Sequence, residues 1–314
     1  MKVAVCSRSF SAHPILRAEL LASFPDACFN DSGHQLQGPD LLAFLRAVNG
    51  AIVGLERIDD ALLEACPSVR VIAKFGVGLD RIDLPALDRR GVRIGWTPGV
   101  NAPAVAEVVL ARTIELLRHL HTSDAEVRAG RFPLRVGRSL GSCTIGLIGC
   151  GHVGKTVARV FRRFGATVIA HDIRDYPDFY RDEAVTPVDL DTLLATADVV
   201  SLHVPLTPRT RGLMNPAAFA RMKPGALFLN TARGEVVDAA ALEDALIGGH
   251  LAGAALDVFD PEPPTGSRLL GLANVRLSAH LAGSSDASTL AMGRAAIAGL
   301  SGHQPAASLL DVVT

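Results

Sequence analysis

Thr144-Ile145-Gly146-Leu147-Ile148-Gly149-Cys150-Gly151-His152-Val153-Gly154-Lys155-Thr156-Val157-Ala158-Arg159 is the stretch on which the fold turns. The apolar run 144–148 reads as a buried parallel strand, and Gly149, Gly151 and Gly154 set out G-x-G-x-x-G behind it. The first glycine suits a sharp turn out of the strand. The second lets a pyrophosphate approach the backbone, and the third lets the helix lie close to the strand. Val153, Val157, Val160, Phe161 and Phe164 recur at helical spacing, so a helix is expected over 153–164 with its N-terminal amides facing phosphate. A second apolar run, 167–171, leads to Asp172, 23 residues beyond Gly149. A carboxylate at about that distance suits the ribose hydroxyls of an adenosine. Three glycines alone match by chance; the strand, helix and acid around them make the reading specific.

Working outward, strands are expected at 198–203, 226–230, 252–257 and 274–277, alternating with helices from 189, from 216 and over 238–247. That alternation predicts a doubly wound parallel sheet. Upstream, strands expected at 3–6, 51–54, 69–74 and 92–95 alternate with helices at 15–23, 41–48, 59–65 and 84–90. They make a second, smaller α/β domain, followed by a breaker cluster, Thr97-Pro98-Gly99-Val100-Asn101, that reads as a hinge. A long helix is expected over 103–121, with Ala104, Val108, Ala111, Ile114, Leu117 and Leu120 on one face, then a helical stretch 123–130 and a polar loop 131–142. These helices are candidates for an oligomer face or, equally, for packing on their own domain. A final helix, 284–300, follows a glycine break and is expected to cross back to the first domain.

The bulk numbers agree with two globular domains. The chain has 314 residues, 49% hydrophobic and 20% charged, with 31 basic and 32 acidic side chains. The near-neutral balance argues against a nucleic-acid partner, and no stretch is long and apolar enough for a signal peptide or a membrane span. Five scattered cysteines (Cys6, Cys28, Cys66, Cys143 and Cys150) show neither a disulfide framework nor metal-ligand spacing, so no metal is expected. A cytoplasmic location follows as the expectation.

Three polar residues fall just past expected strands: Arg233 after 226–230, Glu262 after 252–257, and His280 after 274–277. Ligands of such sheets bind at that edge. Chemistry beside a nicotinamide needs a cation for a substrate carboxylate and a group that titrates near neutrality, oriented by a carboxylate. Singly, each residue has an ordinary surface reading; their common position gives them weight.

At these residues the chain resembles the D-isomer-specific 2-hydroxyacid dehydrogenases, most closely the D-3-phosphoglycerate dehydrogenase branch. The likeness rests on Phe75-Gly76-Val77-Gly78-Leu79-Asp80, the 97–101 hinge, the glycine motif, Leu202-His203-Val204-Pro205-Leu206-Thr207, Asn230-Thr231-Ala232-Arg233-Gly234-Glu235, and Ala254-Ala255-Leu256-Asp257-Val258-Phe259 with Glu262-Pro263-Pro264. It implies two doubly wound parallel-sheet domains: a Rossmann NAD domain (101–281) inserted into a flavodoxin-like substrate domain (1–100 plus 282–314).

The resemblance also implies roles. Arg233 corresponds to the arginine that binds the substrate carboxylate, His280 to the proton donor and acceptor, and Glu262 to its partner. Gly149, Gly151, His152, Val153, Gly154 and Asp172 are implied as cofactor contacts, with Thr231, Ala232 and Asp257 nearby. His203, Pro205 and Gly283 are implied along the cofactor cleft, although His203 reads equally as a strand-end core histidine. Gly76, Val77 and Gly78 are implied as the backbone substrate loop, with Asn101 as a further substrate contact. Lys74 corresponds to a position facing the substrate phosphate, with an exposed strand-end lysine as the alternative. NAD is favoured over NADP by Asp172, while Arg174 is the feature that could accept a 2′-phosphate.

There are departures from the family pattern: Arg81 stands where Asn is usual, and Lys74 where Arg is usual. The 34 residues after His280 suggest a short form without a regulatory domain. The expected activity is hydride exchange between NAD and a small 2-hydroxy or 2-keto acid, in a homodimer formed through the NAD domain. Glyoxylate or hydroxypyruvate reduction is the rival within enzymes, and an NAD-binding co-repressor-like sensor the rival outside them.

Overall fold

The computed structural model describes residues 1–313. Its packing divides the chain into two compact units, Met1–Asn101 with Ser285–Thr314, and Ala102–Ser284.

In the first unit, β1 (Val3–Val5), β2 (Cys28–Phe29), β3 (Gly50–Val53), β4 (Val71–Lys74) and β5 (Arg93–Gly95) run parallel in the order β2-β1-β3-β4-β5. That is the flavodoxin-like winding. Successive strand residues point to opposite faces. Accordingly Ala4, Ala51, Val53, Ile72 and Ile94 enter one core, and Val3, Val5, Ile52, Val71 and Ala73 the other. Burial on both faces is why these strands read as unbroken apolar runs.

The second unit contains β6 (Thr144–Ile148), β7 (Thr167–His171), β8 (Val185–Pro187), β9 (Val199–Leu202), β10 (Leu227–Asn230), β11 (Gly253–Leu256) and β12 (Val275–Leu277). All are parallel, in the order β12-β11-β10-β9-β6-β7-β8, a Rossmann winding with its switch point between β6 and β9. Ile145, Leu147, Val199, Leu227 and Leu229 face one layer; Ile148, Val200, Leu202, Phe228 and Leu256 face the other. The helix His152–Arg163 lies on the first layer through Val157, Ala158 and Phe161, all fully buried. A helix of this length is marginal in water, so packing rather than propensity holds it.

The chain then contributes the helix Asp286–Gly299 and β13 (Gln304–Pro305) to the first unit. The helix opens on a capping box, Ser285 with Ser288, and buries Met292 and Ala296 in the core that holds Leu16 and Leu20. Arg294 pairs with Glu19 at 2.7 Å.

The structure departs from the sequence expectations in several places. β13 adds an antiparallel edge beside β5, and β2, β8 and the helix Pro177–Asp182 have no counterpart in the sequence reading. Two- and three-residue edge strands are too short to carry a period. The helix expected over 41–48 runs Gly38–Leu45. The helices expected over 103–121 and 123–130 run Ala102–Leu117 and Leu120–Arg128, with the break between them falling earlier than expected, at His119 in the left-handed region (φ 54°). The break follows from Leu117, whose carbonyl accepts the Arg138 N–H at 3.0 Å in place of a donor further along the helix. The buried face is only partly the expected one: Ala104 and Leu117 are buried and Val108 and Ile114 pack partly against the core, but Ala111 and Leu120 are exposed, and Val105, Val109, Thr113 and Leu116 are buried beside them. Among the described residues no helix is long and apolar enough to cross a membrane.

Candidate active site

At the end of β6 the chain turns through Gly149, whose φ of +96° a side chain would strain. A Cβ there would stand 2.7 Å from the His203 backbone, and one on Gly154 would collide with the Gly149 carbonyl oxygen. Both glycines are therefore required by close backbone contact, Gly149 with the strand-end His203 and Gly154 with the loop itself. Gly151 is different, because a Cβ there meets nothing within 4 Å. Gly151 caps the helix His152–Arg163 without a side-chain bond, and the first turn carries no acidic residue. The amides are left for an outside acceptor, as an anion site needs.

Asp172 follows β7 and is tied to this loop. Its carboxylate accepts the Cys150 N–H at 2.5 Å and the Arg174 N–H at 2.8 Å, one on each oxygen. A carboxylate oxygen has a second acceptor position, so both remain able to take a hydroxyl. Lys155 stands 3.6 Å over the Tyr176 ring, and burial pushes the Cys150 thiol up to about 11, keeping it protonated. His203 donates its backbone N–H to Ile148 at 2.8 Å, while its Nε2 is buried without a partner. Burial pushes that ring down to about 3, so it is neutral. Thr231 Oγ1 is likewise buried and unpartnered. Open space at Gly151, uncapped amides, a held carboxylate and two orphaned polar atoms together fit a dinucleotide. Of the other expected cofactor positions, Val153 packs partly into the core, His152 is exposed, and the Pro205 carbonyl accepts Thr210 Oγ1 at 2.6 Å.

β10, β11 and β12 are in register at Asn230, Leu256 and Leu277, so the segments bearing Arg233, Glu262 and His280 leave one edge of one sheet. Asn230 is buried and folds the first of them: its Oδ1 accepts Ala232 N–H at 2.9 Å and its Nδ2 donates to the Arg233 carbonyl at 2.8 Å. Arg233 Nη1 donates to the Ala232 carbonyl at 2.7 Å. Gly234 lets this segment lie against Phe259, since a Cβ would collide with the Phe259 backbone.

Glu262 accepts the Phe259 N–H at 3.2 Å and reaches His280 Nδ1, 3.1 and 3.0 Å from its two oxygens. A carboxylate on Nδ1 places the proton there and leaves Nε2 as the ring atom available to a ligand. Both side chains are about two-fifths exposed, 40% and 41%. His280 itself is left-handed, φ 51°, uncommon for a non-glycine residue. Asp257 lies beneath, buried, and its carboxylate accepts Ser278 Oγ at 2.6 Å, Leu281 N–H at 3.0 Å and Ala282 N–H at 2.8 Å. The sequence reading passed over Ser278 and Asn230. An Asn two residues before a turn residue is the signal that could have found the latter.

In the first unit, Lys74 is buried, so it is not an ordinary exposed strand-end lysine. Its ammonium donates to the Gly54 carbonyl, and buried Glu56 accepts the Gly54 N–H at 2.6 Å. Gly76 has φ +123°, and the Val77 carbonyl accepts Trp96 Nε1 at 3.0 Å. Asn101 Oδ1 is buried without a partner.

Residues 110–282 match the model of the D-isomer specific 2-hydroxyacid dehydrogenase NAD binding domain. The chain is 38% identical over 278 residues to a D-3-phosphoglycerate dehydrogenase of Mycobacterium tuberculosis, covering 86% of this chain and 53% of that protein. It therefore spans about half the length of the mycobacterial relatives it matches. A hydroxypyruvate reductase of Thermotoga maritima is 35% identical over 259 residues, 81% of this chain and 84% of that one. The structure of D-lactate dehydrogenase from Aquifex aeolicus complexed with NAD and lactic acid superposes with a TM-score of 0.82 at 26% identity, covering 95% and 93% of the two chains. With its Rossmann sheet, its glycine turn and this extent of likeness, the chain belongs to the D-isomer specific 2-hydroxyacid dehydrogenase family, and residues 110–282 are that family's NAD-binding domain.

Proposed function

We propose that the protein is an NAD-dependent D-2-hydroxyacid dehydrogenase acting on a small 2-hydroxy or 2-keto acid. The observation that carries this reading is the Glu262–His280 pair at the strand edge of the NAD-binding domain, on the edge that also bears Arg233. When bound, NAD supplies the hydride acceptor or, reduced, the donor at the substrate's C2. The chain's residues do the rest. Arg233 holds the substrate carboxylate and offsets negative charge on the reacting oxygen. His280 Nε2 takes the hydroxyl proton in oxidation and returns it in reduction, while Glu262 fixes the Nδ1 proton and balances the charge the ring gains. In the substrate domain (1–100 plus 282–314), Gly76, Val77, Gly78 and Asn101 are proposed as substrate contacts on the family resemblance alone. The amides at 151–154 would hold the cofactor pyrophosphate, and Asp172 the ribose.

For the substrate, 3-phosphoglycerate is one reading, in keeping with the named mycobacterial relatives. Reduction of glyoxylate or hydroxypyruvate is the second, and it is favoured by the Lys74 ammonium being buried on the Gly54 carbonyl. Turnover with NADH against 3-phosphohydroxypyruvate, hydroxypyruvate and glyoxylate decides between them. No turnover with any 2-keto acid would move the reading to an NAD-binding sensor. We further propose a homodimer through the NAD domain, supported by Phe132, Leu134 and Val136, which are 92%, 92% and 85% exposed. A reducing, cytoplasmic setting is proposed from five cysteines that are all free.

A further inference from the structure

At the carboxyl ends of β1, β3 and β4 the first unit gathers polar residues that the steps above leave unused. In a sheet wound β2-β1-β3-β4-β5 the connections reverse direction between β1 and β3, and ligands bind outside the strand ends at such a point. Ser7 follows β1, Gly54 follows β3, and Lys74 closes β4. Gly54 is where they meet. A Cβ on it would stand 3.1 Å from Ser7 Oγ and 3.7 Å from a Glu56 carboxylate oxygen. Glu56 accepts the Gly54 N–H at 2.6 Å, and the Lys74 ammonium donates to the Gly54 carbonyl. Glu56 is 2% exposed and Lys74 7%, so one glycine holds a buried acid and a buried base together. A buried ammonium is costly unless an opposite charge offsets it, and Glu56 supplies that charge. Around the pair, Arg57 is engaged by Asp59 at 3.1 Å, and Leu55 is exposed, so the surface of this turn is apolar.

We propose that Glu56 is a specificity-determining residue, whose carboxylate offsets the Lys74 charge and turns away 2-keto acids that carry a second anionic group. The substrate class is then a small 2-keto acid with an uncharged tail, such as glyoxylate or hydroxypyruvate. This inference rests on the reading of the chain as a 2-keto acid reductase. A phosphate brought to this end of the sheet meets the negative charge of Glu56, and it reaches the ammonium only by drawing it off the Gly54 carbonyl. Like charges repel far more strongly in a water-poor site than at a surface. A hydroxyl or a hydrogen in the same place brings no charge and meets no such repulsion. Discrimination of this kind comes from repelling the wrong ligand as much as from holding the right one. Glutamine at 56 keeps the size and an acceptor for the Gly54 N–H but removes the charge, so the Lys74 ammonium is no longer offset.

The test compares kcat/KM for 3-phosphohydroxypyruvate and glyoxylate, with NADH, in the unsubstituted protein, Glu56→Gln, and Glu56→Gln with Lys74→Met. The ratio of the two substrates cancels losses common to both, including those in NADH binding and in the folded fraction. The unsubstituted protein should favour glyoxylate by at least about tenfold, the scale of one like-charge repulsion. Glu56→Gln should shift the ratio about tenfold or more toward the phosphorylated acid, chiefly through its KM. Adding Lys74→Met should abolish that gain, because the freed cation is its source. An unchanged ratio in Glu56→Gln, or a gain that persists without Lys74, would overturn the proposal. A preference of the unsubstituted protein for the phosphorylated acid would show that other cations receive the phosphate, Arg8 on the helix after β1 among them, and would overturn it too. Each of those results leaves the reductase reading standing. No turnover with any 2-keto acid overturns that reading, and the proposal with it. If Glu56→Gln does not fold, inhibition of glyoxylate reduction in the unsubstituted protein decides: 3-phosphoglycerate should inhibit at least about tenfold more weakly than D-glycerate, and equal or tighter inhibition rejects the proposal.

Discussion

His280 and Glu262 touch through one ring nitrogen, and that single contact leaves Nε2 as the other ring atom for the proposed proton transfer. His280→Ala should lower kcat by about 10²- to 10⁴-fold, the usual share of a general acid/base, with NADH affinity nearly unchanged. Glu262→Gln keeps an acceptor for the Nδ1 proton but loses the charge, so kcat should fall at least about tenfold; steady-state rates with the best 2-keto acid check both. Asp172 is the residue proposed for the ribose end of the cofactor. Each of its oxygens already holds a backbone N–H, which aims the carboxylate at whatever sits over the glycine turn. A 2′-phosphate there would face that negative charge, so NADH should be preferred over NADPH. Asp172→Ala should weaken NADH by about tenfold or more and narrow the preference, read from kcat/KM with the two cofactors.

Elements meet the site through close approaches that side chains would forbid. Gly154 and Gly151 sit three residues apart in one motif, yet the contacts predict opposite outcomes. Gly154→Ala drives a methyl group into the Gly149 carbonyl, which is backbone and cannot swing aside, so stability should fall by about 1–3 kcal/mol and NADH affinity with it. Gly151→Ala has room, and should leave the thermal midpoint unchanged while weakening NADH, because the methyl group occupies the space left for the pyrophosphate. Thermal unfolding beside a fluorescence titration separates the two. At the opposite edge of the sheet, Asp198 ties β6 to its neighbours through Lys223 at 2.9 Å, Arg138 at 3.1 Å and the Thr144 N–H at 2.9 Å. Burial alone would raise this carboxyl; the bonds from Lys223 and Thr144, with Arg138, outweigh it and hold it below the ordinary range. A carboxyl lowered in the folded state contributes stability above its unfolded value, and that contribution disappears as pH falls through the folded one. Asp198→Asn should therefore lower the thermal midpoint at pH 7, and the gap from the unsubstituted protein should close as pH falls below about 4.

At the scale of the molecule, three strongly exposed large apolar side chains share one segment with fixed ends. Phe132, Leu134 and Val136 stand out from a loop held by Arg135 on Glu126, at 2.5 and 2.8 Å, and by Arg138 on the Leu117 carbonyl. The preceding helix, Leu120–Arg128, buries no residue at all. A rigidly held apolar strip of this kind suits a second copy of the chain better than water. Replacing all three residues by serine should convert a dimer to a monomer in sedimentation, with the thermal midpoint of the monomer little changed. A wild-type protein that is monomeric at micromolar concentration would reject the dimer.

The sequence by itself determined the alternation of strands and helices in both domains. Strands buried on both faces read as short apolar runs, and the turn 149–154 has a spacing that the strand-to-helix geometry imposes. It also marked Arg233, Glu262 and His280, because strand ends are legible once strands are. What it could not contain was anything settled by partners distant in the chain. The break at His119 depends on Arg138, the burial of Lys74 on the carbonyl of Gly54, and the convergence of 278–282 on Asp257. The two- and three-residue strands β2, β8 and β13 exist only because a neighbouring edge offers its N–H and C=O groups. Periodicity reports which face of an element is apolar; only the folded chain decides which donor meets which acceptor, since that pairing is made across space and leaves no period behind.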